Sequence, residues 1–115
     1  MTTAEVYFKT GMGLEQFAAW FRELMNLRDV NRSPFQLEQQ RYGVNYGGDY
    51  FLFEVLGVEL RLLRNQGEVE IPEHGDYYLY VMVRINTASL SSSIAENIGN
   101  LVNAEGIEAI VDSVA

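Results

Sequence analysis

Residues 47–64 read GGDYFLFEVLGVELRLLR, and residues 77–85 read YYLYVMVRI. Aromatic and branched aliphatic residues dominate both runs, while glycine, asparagine, aspartate and proline stand around their ends, which is typical of β-strands and their turns. We predict three strands, over about 49–56, 58–64 and 77–85. A tight hairpin at Leu56 and Gly57 joins the first two in our preferred interpretation, and a bulged continuous strand is the alternative.

Alternation within these strands predicts which side chains share a face of the sheet. In residues 58–64 the side chains of Val58, Leu60 and Leu62 should point inward, whereas Glu59 and Arg61 should point outward. In residues 77–85 one face begins at Tyr78 and continues through every second residue to Arg84, and the other begins at Tyr77 and continues through the aliphatic side chains from Leu79 to Ile85. The central strand is apolar on both faces except at Glu54, so both faces should be covered in part, or one should meet another chain.

The flanking sequence supplies the remaining elements. A short strand is predicted over 5–9, with Val6 and Phe8 on one face and Tyr7 on the other. An amphipathic helix is predicted over 14–27, a strand over 35–42 and a second helix from about Leu90, with an N-cap at Asn86 or Thr87. Helical spacing resumes after an interruption at 103–106, although a last strand over 105–115 stays open. The predicted order is β-α-β-β-β-β-α. This is a single α+β domain over residues 1–115, with an antiparallel sheet of four to five strands and helices packed on one face.

Composition restricts the chemistry. The chain has 115 residues, of which 48% are apolar, and no cysteine. That content supports one globular core, and it excludes disulfides, thiolate metal sites and a cysteine nucleophile. The first residues lack the basic patch and apolar run of a signal peptide, and no window is long and apolar enough to span a membrane. We therefore expect a cytoplasmic protein.

The acidic charge is unevenly distributed. The net charge is −8; residues 1–64 hold seven Lys/Arg against eight Asp/Glu, and residues 65–115 hold one base, Arg84, against eight acids. An acidic half repels phosphate backbones, so we expect no nucleic-acid partner. The same field would attract a basic protein. The alternative is that the acidic surface only keeps the domain soluble.

Residues that could carry catalysis or bind a metal are few. His74 is the only histidine, and no serine nucleophile lies near it in the sequence. The acidic loop around it could hold a divalent cation, but its spacing matches no known ligand loop. The Gly11–Gly13 turn lacks the third glycine and the lysine of a phosphate-binding loop. We predict no catalytic residue, no metal site and no cofactor.

Tyrosines are the more informative group. They flank or occupy the predicted strands, and tyrosine suits protein interfaces because it is rigid and has a polar tip. Packing across the sheet is the simpler interpretation. If they contact a partner, they form one patch with the carboxylates of the 68–76 loop. The candidate partner-binding residues are Glu68, Glu70, Glu73, Asp76, Tyr46, Tyr77, Tyr78 and Tyr80.

The strand region also resembles known families. Residues 41–85 contain a GG-x-YF turn and strand at 47–51, FE-x-LG at 53–57 and L-x-x-N at 62–65, with DYYLY at 76–80. This pattern is similar to that of small bacterial immunity-type and uncharacterised α+β families, and a looser likeness runs from Val6 to Leu27. The resemblance implies a stoichiometric, non-catalytic inhibitor of a toxin that is encoded next door. It brings no shared set of functional residues.

Three functional hypotheses follow. The leading one is a non-catalytic acidic protein-binding domain, most concretely an immunity-type antitoxin that masks a basic effector. The first alternative is a small acidic secretion-type chaperone that acts as a homodimer. The second alternative is an enzyme that uses paired carboxylates, with Glu54 half-buried in its apolar strand and its pKa raised; against it, Glu54 would be solvated or paired with Arg61 or Arg84.

Overall fold

Two α-helices and six β-strands make up the described part of the chain. The computed structural model describes residues 2–27, 37–38, 50–65, 76–85 and 88–114. In chain order the elements are β1 (Thr2–Lys9), α1 (Leu14–Met25), β2 (Leu37–Glu38), β3 (Tyr50–Val55), β4 (Val58–Arg64), β5 (Leu79–Ile85), α2 (Ala88–Ala104) and β6 (Glu108–Val114). The predicted α+β class is confirmed, and the predicted order gains a final strand.

All six strands belong to one antiparallel sheet, in the order β2-β3-β4-β5-β1-β6. The first strand lies in the interior of the sheet, where Val6 is opposite Val81 on one side and Val111 on the other. The sequence left this strand order open. Pairing between β1 and β6 brings the two ends of the chain together in one sheet.

The hairpin between β3 and β4 has the predicted two-residue turn. Val55 is opposite Val58, so only Leu56 and Gly57 form the loop. Both loop residues have positive φ, 50° and 79°. Positive φ at both positions is what a type I′ turn requires, and this turn matches the twist of the flanking strands. The alternative of a bulged continuous strand is wrong.

Both helices end in the same motif. At the end of α1, Asn26 has φ 53°, and the amide of Leu27 donates to the carbonyl of Arg22 at 3.0 Å. At the end of α2, Gly106 has φ 92°, and the amide of Ile107 donates to the carbonyl of Val102 at 3.3 Å. A left-handed residue followed by this long backbone bond is a Schellman motif, which satisfies the last carbonyls and turns the chain away from the helix axis.

Of the two alternatives for the segment after residue 106, the last strand is right and the resumed helix is wrong, because the chain continues as β6. The left-handed turn at Gly106 ends α2. The side chain of Asn103 then holds the next segment: its Oδ1 accepts from the amide of Ala109 at 2.8 Å, and its Nδ2 donates to the carbonyl of Ala109 at 3.2 Å. This pair of bonds reproduces what a neighbouring strand would supply.

Both helices pack on one face of the sheet, as predicted. This first face carries Phe8 of β1, which lies against Phe17 of α1 with ring centroids 4.7 Å apart. Val102 of α2 and Val81 of β5 belong to the same core, and none of these four side chains is exposed. The alternation predicted for β1, β4 and β5 is confirmed on this face, because the residues predicted to point inward from β1 and β4 and the aliphatic residues of that face of β5 pack in this core.

Candidate functional site

The second face of the sheet, opposite the helices, holds a smaller buried cluster. Its buried members are Tyr7, Leu63 and Tyr80, which we call the tyrosine cluster. They come from β1, β4 and β5, and the strand register places Tyr80 directly opposite both Tyr7 and Leu63. The rings of the two tyrosines stack with centroids 5.0 Å apart and planes at 20°. Cross-strand aromatic pairs of this kind stabilise a sheet beyond the area they bury.

Tyr7 is a member of this cluster whose pKa is strongly shifted. It is fully buried, and its hydroxyl donates to the carboxylate of Glu5 at 2.9 Å. Burial disfavours the phenolate, and the neighbouring carboxylate adds repulsion, so the pKa of Tyr7 lies well above its ordinary value. Tyr7 therefore stays protonated and acts as a structural hydrogen-bond donor.

An ion-pair group lies on the same face, toward the β3–β4 hairpin. Glu59 is opposite Arg84, and Arg84 donates to its Oε1 at 3.2 Å. The same oxygen lies 2.5 Å from Nε of Arg61 but without hydrogen-bond alignment, so this second contact is a charge attraction. Arg61 is on the predicted face, but the expectation that it points outward into solvent is wrong, since it is only 3% exposed. Its burial is offset by the shared carboxylate.

The far end of the sheet carries the exposed candidates. Asp76 is exposed, Tyr77 is half-buried and Tyr78 is 38% exposed, all just before β5. The hydroxyl of Tyr77 donates to a carboxylate oxygen of Glu108, at the start of β6. We call these four residues the end-of-sheet patch. The bond to Glu108 is the first cause of the raised pKa of Tyr77.

The backbone beneath the patch is held in place. Asn65, buried at the end of β4, donates its backbone amide to the carbonyl of Tyr78 at 2.6 Å and its side-chain amide to the carbonyl of Tyr77 at 3.1 Å. The ring of Tyr77 also packs against the tyrosine cluster. Lys9 of β1 is opposite Glu108 and offsets part of the local negative charge. The backbone of Tyr77 and Tyr78 is thus held against the end of β4.

The structure brings together only part of the predicted partner-binding set. Asp76, Tyr77 and Tyr78 lie next to one another, as adjacency in sequence requires. Tyr80 belongs to the buried tyrosine cluster, with 3% of its surface exposed. The remaining candidates lie outside the described residues: Tyr46, Glu68, Glu70 and Glu73.

Sequence reasoning missed two residues of this region, Glu108 and Asn65. Glu108 was visible only as one of the acids of the C-terminal half, and its contact with Tyr77 spans 31 residues. Asn65 marks the end of a predicted strand in the sequence, with no further role evident there. An asparagine that follows an alternating strand and is not in a two-residue turn is a signal for a buried amide that bonds nearby backbone.

The described residues give little support to the hypothesis of an enzyme that uses paired carboxylates. Glu54 is exposed and opposite Glu59 across the hairpin, so the half-buried carboxylate on which that hypothesis depended is absent at this position. Glu59, its neighbour across the hairpin, pairs with both Arg61 and Arg84. His74 lies outside the described residues. Among the residues described, no three His, Cys, Asp or Glu side chains are grouped as a metal site would need.

Within the described ranges, the helices are too short or too polar to cross a membrane. No protein-family model matches the chain, and no curated protein matches it either.

Proposed function

We propose that this chain is a non-catalytic protein-binding domain whose end-of-sheet patch contacts a basic partner, most concretely as an immunity-type antitoxin. The observation that carries the proposal is the contact between Tyr77 and Glu108. It joins a carboxylate of β6 to Tyr77, which precedes β5 beside Asp76 and Tyr78, and so places an aromatic anchor between two acids. Tyrosine anchors rimmed by charge are the usual composition of a specific interface.

Electrostatics support the choice of a basic partner. Asp76 and Glu108 are both exposed, and residues 65–115 carry eight acids against one base. Complementary charge speeds association and selects the partner, while the aromatic rings supply most of the affinity. Pre-organisation of the backbone of Tyr77 and Tyr78 by Asn65 lowers the entropy lost on binding.

The test begins with the product of the adjacent gene, because an antitoxin is encoded beside its toxin. The two proteins are co-expressed, the complex is purified, and its dissociation constant is measured by calorimetry in 50 and 500 mM salt (about a threefold change in Debye length across such a range). We expect a stoichiometric complex that weakens in high salt, and rescue of growth when the partner is toxic.

The variants that test the patch are Tyr78→Ala and Asp76→Asn. We expect Tyr78→Ala to weaken the complex by about tenfold or more, as loss of an aromatic anchor does. Asp76→Asn should mainly slow association and flatten the salt dependence. Glu96→Gln, at an exposed position of α2, removes the same charge away from the patch and serves as the control. Absence of any complex together with absence of rescue would contradict the proposal.

The homodimeric chaperone is the second candidate, and one observation favours it. β6 is the outermost strand on its side of the sheet, and Val111 in its middle is 37% exposed. Such an edge can pair with a second copy. Against this, Asn103 already occupies the outward backbone groups of Ala109, which leaves a shorter free edge. Native mass separates the two candidates, because a stable homodimer favours the chaperone and a monomer favours the antitoxin.

A further inference from the structure

The outer side of β6 presents backbone groups that point away from the sheet. β6 is the last strand of the sheet and pairs with β1 on one side. Asn103 bonds both the amide and the carbonyl of Ala109, so these two groups face away from β1. Because backbone groups alternate in direction along a strand, those of Val111 and Ser113 face the same way. No strand in the described part of the chain pairs with this side of β6.

An edge of this kind selects an extended backbone. A residue of an antiparallel neighbour that lies opposite Val111 or Ser113 exchanges a pair of backbone hydrogen bonds with it. A helix uses its own backbone groups internally and has none to give along its length. Extended segments of other proteins bind such edges as an added strand, with main-chain bonds for affinity and alternate side chains for specificity.

The charge beside the edge indicates one residue of the added strand. Asp112 is half-buried on the second face, directly opposite Glu5 of β1. Like charges that are opposite each other across two strands repel, and a cation on the next strand offsets that repulsion. Lys9, the base of β1, lies at the other end of the pairing, opposite Glu108. The position opposite Asp112 therefore favours a lysine or an arginine.

Val111 indicates a second residue, on the first face. Its Cγ2 lies 3.1 Å from where a Cβ on Gly99 would stand, so α2 passes close above it. β1 occupies its inner side, where it is opposite Val6. The part of Val111 that remains exposed, 37%, therefore lies toward the outer edge. A branched apolar residue opposite Val111 would pack against it and remove this surface from water.

We infer that the outer edge of β6 binds an extended segment of another protein, which adds a further antiparallel strand to the sheet. The segment carries a lysine or arginine opposite Asp112 and an apolar residue opposite Val111. This inference goes beyond the proposed function, because it needs neither the end-of-sheet patch nor the adjacent gene product.

A second copy of the chain fits this edge poorly. Only two antiparallel registers place both Val111 and Ser113 opposite outward-facing residues of another β6. In the first register Ser113 is opposite Ala109, whose backbone groups are already bonded by Asn103. In the second register Asp112 is opposite its own copy, and like charges in that position destabilise a strand pair. A basic segment of another protein meets neither obstacle.

The experiment uses the capped synthetic peptide TTTKVT as the probe. In the antiparallel register its lysine is opposite Asp112 and its valine is opposite Val111, and threonine elsewhere favours the extended state. The peptide is titrated to millimolar concentration into the isotope-labelled full chain, and amide signals are followed by NMR. We expect the Val111 and Ser113 amides to shift and to exchange more slowly with solvent. No shift at these amides, or shifts confined to Tyr77 and Tyr78, would overturn the inference.

Two altered peptides separate the charge from the backbone contribution. TTTEVT should bind about threefold to tenfold more weakly, because a carboxylate then lies opposite Asp112. TTTKPT should also bind more weakly, because proline has no amide to donate to the carbonyl of Val111. This second comparison uses the unaltered chain, so it needs no folded variant. Equal affinity for all three peptides would overturn the inference.

A charge reversal in the protein is the matched test. Asp112→Lys removes one of two opposed carboxylates, and it should reverse the preference so that TTTEVT binds more tightly than TTTKVT. Sedimentation of the unaltered chain alone, at the concentration of the titration, should give the mass of a monomer. An unchanged preference in the variant, or a stable dimer of the unaltered chain that excludes the peptide, would overturn the inference.

The two proposals fail separately. Absence of a complex with the adjacent gene product contradicts the role of the patch and leaves the peptide result as it stands. Absence of peptide binding at β6 contradicts the added strand and leaves the patch and its complex as they stand.

Discussion

Tyr7 and Tyr80 face each other across β1 and β5, with ring centroids 5.0 Å apart, and both are buried on the side of the sheet away from the helices. The sheet therefore has buried side chains on both faces. This relationship divides the tyrosines into two kinds. The tyrosines of the cluster are buried and stabilise the sheet, whereas Tyr78 at the end of the sheet is 38% exposed.

Substitution of Tyr80 should affect stability, and substitution of Tyr78 should not. Tyr80→Ala removes a buried ring and its stacking contact with Tyr7. We therefore expect the free energy of unfolding to fall by about 3–5 kcal/mol. Tyr78→Ala removes a partly exposed ring outside the strand, and the fall should be less than about 1 kcal/mol. Urea unfolding followed by circular dichroism measures both. Equal losses would show that the two rings have the same structural role.

The raised pKa of Tyr7 predicts a loss of stability in alkali. In the unfolded chain a tyrosine ionises near about pH 10, whereas folded Tyr7 keeps its proton to a higher pH. Between these two values the folded state binds more protons than the unfolded state, so the free energy of unfolding falls as pH rises. The stabilisation is complete below the pKa of the unfolded chain.

Tyr7→Phe tests this origin. We expect the variant to lose about 0.5–1.5 kcal/mol at pH 7, because the hydrogen bond to Glu5 is gone. Its free energy of unfolding should then fall less steeply between pH 9.5 and 11 (a window that brackets the ordinary tyrosine pKa of about 10) than that of the unaltered chain. Equal slopes for the two proteins would assign the alkaline loss to other groups.

Glu59 should be more important for stability than an exposed glutamate. It holds the buried guanidinium of Arg61 and that of Arg84. Glu59→Gln leaves the charge of Arg61 with weaker compensation, and we expect a loss of about 1–3 kcal/mol, reduced by the partial exposure of the carboxylate. Glu96→Gln on α2 is the matched control and should change stability by less than about 0.5 kcal/mol. Thermal unfolding of both variants at one pH makes the comparison, and similar midpoints would contradict it.

The amide of Asn103 should hold β6 against the end of α2. Asn103→Ala removes both hydrogen bonds to Ala109, and we expect the free energy of unfolding to fall by about 1–2 kcal/mol. Asn100→Ala, also exposed on α2, has the same gain in helix propensity without these bonds and provides the reference. Hydrogen exchange of the Ala109 amide should accelerate in the first variant alone. If both variants behave alike, the bonds contribute nothing to stability.

The hydrogen bonds between Asn103 and Ala109 should also limit self-association through the edge of β6. Asn103→Ala frees the outward backbone groups of Ala109 and lengthens the exposed edge of β6. Sedimentation of the variant shows whether the asparagine also keeps the edge from pairing with a second copy, in which case the mean mass should rise with concentration.

Sequence reasoning succeeded for features that depend on neighbours in the chain. The hairpin at Leu56 and Gly57 followed from two alternating runs separated by a glycine. The faces of β5 followed from period-two alternation. It left helix and strand both open after residue 106, because a helical spacing of aliphatic residues and a half-buried edge strand are hard to separate over so few positions.

Only some of the candidate site residues could be placed from the sequence, because its signals act over a few neighbouring positions. Alternation correctly placed Tyr80 and Arg61 on the second face, but it could not tell whether that face was buried. It grouped the acids by sequence position, and so it joined Asp76 to the preceding loop and overlooked Glu108. Contacts across many residues carry no periodic signal in a single sequence.

By itself, the sequence determined the α+β class, the alternating faces of β1, β4 and β5, the two-residue turn and the acidic C-terminal half. These depend on backbone period, turn geometry and charge, all of which act over a few residues. Only the tertiary structure decided that β1 lies inside the sheet, that Tyr7, Tyr80 and Arg61 are buried, and that Tyr77 meets Glu108. Those outcomes depend on which distant strands pair, and pairing is selected by the free energy of the whole fold.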